Sequence, residues 1–219
     1  DKMLAFMSEM KTAHGFEART LNLGGGYGIW YSDGDARYSV SDYTGYLKTV
    51  IAEVKCKARE YGIREPFLLV EPGRSIVGEA GITLYTVGTI KEIPGVKKYV
   101  AVDGGMFDNP RYALYQAKYT ALLANRAAEK PCEVVTVAGR CCESGDLVCA
   151  NVSLPKAETG DILAVLSTGA YNYSMASNYN RNLVPPVVLV RDGKAEYIVK
   201  PQSYEDIIRN DVIPAYLQK

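Results

Sequence analysis

The amino-acid sequence predicts an α/β segment over residues 1–80, followed by an all-β domain over residues 81–219. Before Gly81, segments with helical periodicity alternate with short apolar runs in the order α-β-α-β. This order is typical of a fragment of a parallel α/β sheet or barrel. After Gly81, short apolar runs follow at close intervals and are separated by Gly, Pro, Asn and Asp, which favours strands of antiparallel character.

The α/β segment contains two predicted helices. Leu4, Met7 and Met10 recur at helical spacing, so a helix is expected to end before residue 16. A second helix is expected to begin at its N-cap residue Ser41 and to end at Gly62, because serine caps helix starts and glycine closes helix ends. Its predicted apolar face consists of Leu47, Val50, Ile51 and Val54.

The predicted strands of the α/β segment are Arg19–Leu23 and Phe67–Val70. The second run is continuously apolar, as expected for a strand that is buried on both faces. In the all-β domain, helical segments are expected at Tyr112–Ala124 and Tyr204–Asn210. The predicted strands there are Thr83–Ile90, Tyr99–Val102, Glu133–Ala138, Leu147–Val152, Ile162–Leu166, Val187–Val190 and Ala195–Val199.

The composition excludes several classes of partner and site. Lys plus Arg equal Asp plus Glu at 25 each, which argues against nucleic acid or an anionic membrane as a partner. No apolar run approaches the ~18 residues of a membrane-spanning helix. Five irregularly spaced cysteines without a C-x-x-C pair indicate neither a disulfide framework nor a zinc site, so a reducing cytoplasm is expected. With His14 as the single histidine, a Ser-His-Asp triad and a His-rich metal site are excluded.

Three consecutive glycines, Gly24, Gly25 and Gly26, directly follow an apolar run. Such a loop permits positive φ and close approach to its backbone, and successive bare N–H groups form an anion site. The dinucleotide fingerprint is not matched, because Ile29 stands where a small residue is needed. The run therefore predicts either a binding loop for a single phosphate or only a tight turn.

A carboxylate and a guanidinium follow the second predicted strand in the motif Glu71-Pro72-Gly73-Arg74. The carboxyl ends of parallel strands are where ligands bind in α/β proteins. One interpretation is an ion pair within a turn. The functional interpretation is that Arg74 meets an anion while Glu71 holds a cationic or protonated ring nitrogen.

Further motifs with possible chemistry lie in the all-β domain. Arg111 and Tyr115 are four residues apart and share a face on a helical turn, either as a solvated pair or as a clamp for a carboxylate. Cys141 and Cys142 precede Glu143 in a turn. Either these cysteines are simply buried, or one thiol donates a proton and the acid recognises an ammonium group.

Taken in order, these stretches resemble the fold-type III pyridoxal-phosphate decarboxylases. The resemblance covers approximately residues 20–208. It includes Gly169–Tyr171, a motif of small and aromatic residues that follows a predicted strand. The motifs are Leu23–Gly28, Glu71–Arg74, Val102–Met106, Arg111 with Ala113–Tyr115, Cys142–Asp146, Gly169–Tyr171 and Ser177–Asn180.

The resemblance implies a specific fold and implies that the chain is only part of an enzyme. It implies the last two strand-helix units of a (β/α)8 TIM-like barrel, followed by a C-terminal β-sandwich or Greek-key barrel domain. Such a barrel needs eight strands and about 250 residues, and the family's cofactor-anchoring lysine is absent from this sequence. The chain is therefore expected to be the C-terminal portion of an enzyme and to be inactive alone. It is also expected to expose inner-face residues of the barrel, namely Leu21, Leu23, Leu68 and Val70.

The resemblance assigns residues to pyridoxal 5′-phosphate, and no residues to a metal. The glycines and the backbone at positions 73 and 74 cradle the phosphate, and Glu71 pairs with the protonated pyridine nitrogen. Tyr171 contacts both cofactor and substrate. The implied cofactor-binding residues are Gly24, Gly25, Gly26, Glu71, Gly73, Arg74 and Tyr171.

The resemblance also implies the substrate and the assembly. Cys142 is the catalytic residue that returns a proton to the carbon that loses CO2, and Glu143 binds the distal ammonium of the substrate. Cys142 and Glu143 enter the partner subunit's site in this family, which implies a homodimer. The implied substrate-binding residues are Arg74, Arg111, Tyr115, Glu143 and Tyr171.

These assignments predict decarboxylation of meso-2,6-diaminopimelate to L-lysine and CO2 in lysine biosynthesis. Family members that act on diamine precursors carry aspartate in place of Glu143, and two arginines near one end of the site favour a substrate carboxylate there. The alternatives are a related decarboxylase of another amino acid and a non-catalytic partner without the lysine.

Overall fold

The computed structural model describes residues 1–218, and the chain divides into two units. Unit 1 contains residues 1–30 and 34–78, and unit 2 contains residues 31–33 together with the chain from residue 79 onward. The elements of unit 1 are α1 (Lys2–His14), β1 (Thr20–Asn22), α2 (Val40–Glu60), β2 (Phe67–Leu69) and α3 (Arg74–Val77).

Both predicted helices of unit 1 are present, but the start of α2 differs from the prediction. Ser39, and not Ser41, is the N-cap of α2. The Ser39 hydroxyl accepts from the Asp42 amide, and the Asp42 carboxylate accepts from the Ser39 amide at 2.7 Å. This reciprocal pair satisfies two amides that a helix start otherwise leaves unbonded, so it outcompetes a cap two residues later.

Strands β1 and β2 are parallel neighbours, and Leu21 pairs with Leu68. The core of unit 1 contains Leu4, Met7, Leu21 and Val54, with Leu68 packed against it. The prediction that Leu21 and Leu68 belong to an exposed inner face is therefore wrong. β2 is not buried on both faces, because Phe67 and Leu69 are exposed. Alternation along the strand places Leu68 on the helix-facing side and its neighbours on the other.

Unit 2 is mostly sheet. Within residues 1–218, its larger sheet has the strand order β5-β8-β3-β4-β6-β7, and the edge strands β5 and β7 contact each other, so the sheet is barrel-like and nearly closed. The pairs are antiparallel as predicted, except that β4 and β6 run parallel. These strands are β3 (Thr83–Ile93), β4 (Lys97–Val102), β5 (Ala121–Leu123), β6 (Glu133–Ala138), β7 (Leu147–Leu154) and β8 (Ile162–Val165).

The predicted helix over residues 112–124 is wrong in its second half. Helix α4 spans only Arg111–Tyr115 and ends at Gln116, whose φ is 52°. The segment that follows forms β5, which pairs with β8 and buries Ala121 and Leu123. Pairing with a strand distant in sequence therefore overrides the local preference of this segment.

The remaining elements of unit 2 form a hairpin and a short helix. The hairpin consists of β9 (Val187–Arg191) and β10 (Lys194–Val199), and the short helix is α5 (Tyr204–Ile208). Short 3-10 turns lie at Ala124–Arg126, Tyr173–Met175, Tyr179–Arg181 and Ala215–Leu217. Among residues 1–218, no helix combines the length and the apolar character that crossing a membrane requires.

Asp108 is a buried carboxyl group beside the core of unit 2, with an exposed fraction of 4%. The Tyr85 hydroxyl donates to one carboxylate oxygen, and the Gly105 amide donates to the other at 2.8 Å. Burial raises the pKa of Asp108 to about 6, although both hydrogen bonds favour the charged form.

Asp108 is expected to make the protein less stable as the pH rises. Its pKa of about 6 in the folded state lies above the ordinary value of 3.8, so the folded state binds more protons between these values. The stabilisation that protonated Asp108 contributes is complete below the ordinary pKa of 3.8. It is lost as the pH rises through the folded-state pKa of about 6. Relative to Asp108→Asn, the free energy of unfolding of the wild type should fall by about 2–3 kcal/mol from pH 4 to pH 7. Urea unfolding across this range measures the difference, and a constant difference would contradict the prediction.

Candidate functional site

The strand-end cluster of unit 1 comprises Gly24, Gly25, Gly26, Glu71, Gly73 and Arg74. The parallel ladder continues past the strands, because the Glu71 amide donates to the Gly24 carbonyl at 2.9 Å. A Cβ atom on Gly25 would lie 1.7 Å from the Glu71 carbonyl oxygen. Only glycine therefore permits this approach of the two strand ends, and the loop presents bare backbone at the edge of the sheet.

Asn22, the last residue of β1, organises the strand-end cluster and was not predicted from the sequence. Its side-chain oxygen accepts from the Gly24 amide at 2.8 Å, where Gly24 has a φ of 72°. Its amide nitrogen donates to the Glu71 carboxylate at 2.8 Å. Asn22 therefore orients the carboxylate as well as the glycine loop. The available signal was the preference of asparagine for bonding backbone two residues ahead.

Arg74 also belongs to unit 1 and is held by the loop that follows the glycines. Its Nη2 donates to the Tyr27 carbonyl at 3.3 Å. The Tyr27 ring makes edge contacts with Tyr43 and Tyr46 of α2, with ring centroids 6.1 Å apart in each pair. The loop backbone that receives Arg74 is thus fixed by aromatic packing on the helix.

The tyrosine–arginine cluster of unit 2 comprises Tyr31, Arg111, Tyr119 and Tyr171. Arg111 is only 9% exposed, and its Nη1 donates to the hydroxyl of Tyr119 at 2.8 Å and of Tyr31 at 3.0 Å. Its guanidinium carbon lies 5.2, 5.8 and 5.6 Å from the ring centroids of Tyr31, Tyr119 and Tyr171. Cation–π attraction offsets part of the cost of burying this charge.

Of the two interpretations of Arg111 with Tyr115, the solvated pair is wrong. Tyr115 is 63% exposed, whereas Arg111 is buried, so they do not share a solvated face. The hydroxyls that contact the guanidinium belong to Tyr31 and Tyr119, which sequence reasoning missed. No local pattern signals Tyr31, because it lies 80 positions before Arg111.

The charge of Arg111 has only neutral partners among the described residues of unit 2. Burial disfavours its charged form, but the oxygens of Tyr119 and Tyr31 outweigh this effect and raise the pKa of the guanidinium. Burial raises the pKa of Tyr119 despite the nearby Arg111, so the phenol stays protonated. A guanidinium has five N–H donors, and the hydrogen bonds of Arg111 within residues 1–218 use Nη1 alone. Its Nε and Nη2 donors remain for an anion.

Tyr171 has a backbone φ of 66°, in the left-handed region that residues other than glycine seldom adopt. This conformation costs roughly 1–2 kcal/mol. The ring is 46% exposed while it contacts Arg111. The contact role of Tyr171 with cofactor and substrate stays a prediction.

The thiol turn, residues 139–146, is built around the Asp146 carboxylate, which is 3% exposed. It accepts from the amides of Met106 and Cys141, each at 2.6 Å. A Cβ atom on Gly139 would lie 2.3 Å from the carboxylate oxygens. Asp146 therefore shapes the backbone that presents Cys142 and Glu143 on the surface of unit 2.

The two adjacent thiols have different environments. Burial raises the pKa of Cys141 to about 11, and its sulfur accepts from the Asn182 side chain at 3.6 Å. Cys142 is exposed, and its amide donates to the Asn180 side chain at 2.9 Å. Cys141 is thus a structural thiol, while Cys142 is the accessible one.

Glu143 lies beside Cys142 and accepts a hydrogen bond from the Tyr179 hydroxyl at 3.3 Å. Repulsion from this carboxylate raises the pKa of Tyr179. Tyr179 and Asn180 come from the motif Ser177–Asn180, whose role the sequence alone did not assign. The segment therefore contacts both Cys142 and Glu143 of the thiol turn.

Comparison with known proteins gives these clusters their context. Residues 26–169, more than half of the chain, match the family described as pyridoxal-dependent decarboxylase, C-terminal sheet domain. The chain belongs to the pyridoxal-dependent decarboxylase family. The match begins within the glycine loop and ends just before Tyr171, and it confirms the resemblance found in the sequence.

Curated and solved relatives agree with the family. The chain is 50% identical to the diaminopimelate decarboxylase of Bacillus subtilis over 212 residues, covering 97% of this chain and 48% of the relative. The crystal structure of M. jannaschii diaminopimelate decarboxylase in co-complex with L-lysine has a TM-score of 0.84 and 36% identity, covering 99% and 48% of the two chains. The Helicobacter pylori enzyme complexed with L-lysine has a TM-score of 0.75 and 31% identity, covering 95% and 48%. The chain therefore spans about half the length of the relatives it matches.

Family membership implies pyridoxal phosphate as the cofactor, and the strand-end cluster fits part of that molecule. A side chain on Gly25 would collide with the Glu71 carbonyl, so the loop must be backbone alone at this point, and bare backbone amides suit a phosphate. The Glu71 carboxylate, oriented by Asn22, is an acceptor suited to a protonated ring nitrogen. The residues of unit 1 thus include donor and acceptor groups of the kinds that a phosphate and a protonated ring nitrogen require.

Proposed function

We propose that this chain contributes to a pyridoxal-phosphate enzyme that decarboxylates meso-2,6-diaminopimelate to L-lysine and CO2 in lysine biosynthesis. In this proposal, residues 1–80 are the last strand-helix units of a (β/α)8 barrel, and residues 81–219 form its C-terminal β domain. The five cysteines of the chain are free, which supports a cytoplasmic location.

The observation that carries this proposal is the buried Arg111 guanidinium with neutral partners. Among residues 1–218, no carboxylate forms an ion pair with Arg111, and its two hydrogen bonds go to tyrosine hydroxyls. A buried charge without a counter-ion is costly, so the arrangement favours a ligand that brings a carboxylate. Diaminopimelate carries a second carboxylate distant from its reacting end, whereas a simple diamine precursor does not.

The residues of unit 1 hold and polarise the cofactor in this proposal. The backbone of Gly24, Gly25 and Gly26 and the amides at Gly73 and Arg74 bind the phosphate. Glu71 keeps a proton on the pyridine nitrogen. The bound cofactor supplies the electron sink for the pair left when CO2 departs. Asn22 limits the motion of the Glu71 carboxylate, which keeps it in place for the ring nitrogen.

The residues of unit 2 bind the substrate and supply a proton. Arg111 and Tyr115 bind the distal carboxylate, to which Arg74 of unit 1 is also assigned, and Glu143 binds the distal ammonium. Tyr171 contacts both cofactor and substrate, and Cys142 protonates the carbon that loses CO2. We propose that Cys142 and Glu143 serve the site of a second copy, which makes the enzyme a homodimer. The exposure of both side chains supports this assignment.

Turnover by the holoenzyme that contains this chain tests the proposed activity. Purified protein reconstituted with pyridoxal phosphate is expected to release equal amounts of CO2 and L-lysine from meso-diaminopimelate. Ornithine and arginine serve as competing substrates, and their turnover is expected to be much slower. An enzyme that carries bound cofactor but forms no L-lysine would refute the proposed substrate.

Replacing Arg111 by Ala is expected to raise KM for diaminopimelate by about 100-fold, because charge-assisted hydrogen bonds to the distal carboxylate are lost. L-Lysine retains that carboxylate and cadaverine lacks it. The inhibition constant should therefore rise strongly for L-lysine and stay nearly constant for cadaverine. Arg191→Ala is the control, because the side chain of Arg191 is 83% exposed. An equal rise in the inhibition constants of L-lysine and cadaverine would contradict a carboxylate-binding role for Arg111.

Mixing two variants of low activity, at a substrate concentration well below the raised KM of Arg111→Ala, tests the shared site. If Cys142 acts in the partner's site, a mixed dimer of Arg111→Ala and Cys142→Ala subunits contains one site with both wild-type residues. Random mixing is then expected to restore about a quarter of the wild-type activity. If each subunit's site uses its own Cys142, the activity of the mixture stays as low as that of its components.

A further inference from the structure

We infer that Tyr31 and Tyr119 are positioning residues that hold the Arg111 guanidinium for the distal carboxylate of the substrate and thereby set substrate specificity. This inference rests on the proposed function, because it assigns a role to residues that contact the proposed carboxylate-binding arginine. Neither tyrosine belongs to the motifs that carry the family resemblance.

The geometry constrains one edge of the guanidinium. Both hydrogen bonds start at Nη1, and they diverge to the hydroxyls of Tyr119 and Tyr31 at 2.8 and 3.0 Å. Because the guanidinium is planar, fixing both bonds of one terminal nitrogen restricts rotation of the whole group. The opposite donors, Nε and Nη2, are thereby directed to a fixed place for a ligand.

The two tyrosines also hold each other. Their rings meet edge to face, with centroids 5.4 Å apart and an interplanar angle of 86°. Tyr119 is only 3% exposed, which leaves its ring little freedom to move. The Tyr31 carbonyl accepts from the Thr120 amide at 2.9 Å, so the backbone of Tyr31 is tied to the residue after Tyr119. The pair is therefore a rigid support and not a set of adaptable contacts.

Neutral acceptors at this place preserve the charge that binds the substrate. A carboxylate in the position of either hydroxyl would also orient Arg111, but it would compete with the substrate for the guanidinium. A phenol accepts the hydrogen bond without neutralising the positive charge. The two hydroxyls thus satisfy buried donors and leave the electrostatic attraction to the substrate carboxylate intact.

Phenylalanine substitutions in the holoenzyme test the inference, because they keep the rings and remove only the hydroxyls. Tyr119→Phe is expected to raise KM for diaminopimelate and the inhibition constant of L-lysine by about tenfold, with kcat changed less than about threefold. Tyr31→Phe is expected to raise the same two constants. The inhibition constant of cadaverine, which lacks a carboxylate, should change by less than about twofold.

Tyr85→Phe is the matched control. Tyr85 is 4% exposed, and its hydroxyl is bonded to Asp108 and not to Arg111. Removing the Tyr85 hydroxyl should lower the stability of the protein, as removing the Tyr119 hydroxyl does. It should leave unchanged the ratio of the inhibition constant of L-lysine to that of cadaverine. An equal change of that ratio in the control would overturn the inference.

A double-mutant cycle separates this inference from the proposed function. In the Arg111→Ala background, Tyr119→Phe should have no further effect on L-lysine binding, because its route of action is gone. If Arg111→Ala weakens the binding of L-lysine relative to cadaverine but neither tyrosine variant does so, the inference is wrong and the proposed function stands. If Arg111→Ala itself shows no selectivity, the proposed carboxylate-binding role of Arg111 is wrong and the inference fails with it, while formation of L-lysine from diaminopimelate still decides the proposed function. Should Tyr119→Phe fail to fold, the less buried Tyr31→Phe decides the outcome.

Discussion

Replacing Gly25 by Ala is expected to weaken cofactor binding by the enzyme severely. The added Cβ would stand 1.7 Å from the Glu71 carbonyl oxygen, which belongs to backbone and cannot rotate away. The bond between the Glu71 amide and the Gly24 carbonyl, 2.9 Å long, joins the same two segments and must break to make room. We expect a loss of about 3 kcal/mol or more in local stability and at least about a 100-fold loss in cofactor affinity.

Titration of the apoenzyme with pyridoxal phosphate, followed by absorbance, measures this effect. Gly45→Ala is the matched control, because a Cβ there meets nothing within 4 Å and the residue lies inside α2. This control should be more stable than the wild type by about 0.5–1 kcal/mol. Gly26→Ala also meets no protein atom within 4 Å, so a loss of affinity there would report the approach of the ligand itself. Wild-type cofactor affinity in Gly25→Ala would refute the assignment of the glycine loop.

Replacing Cys142 by Ala is expected to lower kcat by about 10²–10³-fold, with little change in KM. Positioned proton donors contribute about 10²–10⁴-fold to rates, and Cys142 is the exposed thiol of the thiol turn. The backbone of the turn is held by Asp146 and Asn180 through main-chain amides, so removal of one sulfur leaves its shape intact. The effect should therefore be chemical and not structural.

Cys141→Ala is the control for this prediction. Cys141 is adjacent and also a thiol, but it is partly buried, and burial raises its pKa to about 11. Its variant is expected to keep kcat within about threefold of the wild type, as measured by L-lysine formation at saturating substrate. If Cys141→Ala loses activity as strongly as Cys142→Ala, proton donation cannot be assigned to Cys142.

Much of the fold was predictable because its signals are local. Both long helices of unit 1 follow from apolar spacing, and most strands of unit 2 follow from short apolar runs between turn residues. Strand β5 was not predictable, because residues 121–123 become a strand only by pairing with β8. The prediction also missed the N-cap at Ser39. This cap is favoured over Ser41 because Ser39 and Asp42 each accept a hydrogen bond from the other's backbone amide.

The candidate site was predictable where backbone chemistry or an ordered motif carries it. Gly25, Glu71 and Cys142 were singled out from the sequence, and the structure adds the close strand approach at Gly25, the Asn22 hydrogen bond to Glu71 and the exposure of Cys142. The supports of these residues were not found. Asn22 and Tyr31 act through side-chain hydrogen bonds to partners 49 and 80 positions away, and such distances leave no local pattern.

The sequence by itself determined the two-part organisation, the glycine loop, the thiol turn and the family, because each depends on residue type and order along the chain. Only the tertiary structure decided which tyrosines hold Arg111, which face of β1 and β2 is buried, and which of two adjacent thiols is exposed. The physical reason is that burial and side-chain hydrogen bonding depend on partners distant in sequence. Local propensity specifies where elements begin and end, but it does not specify what surrounds them.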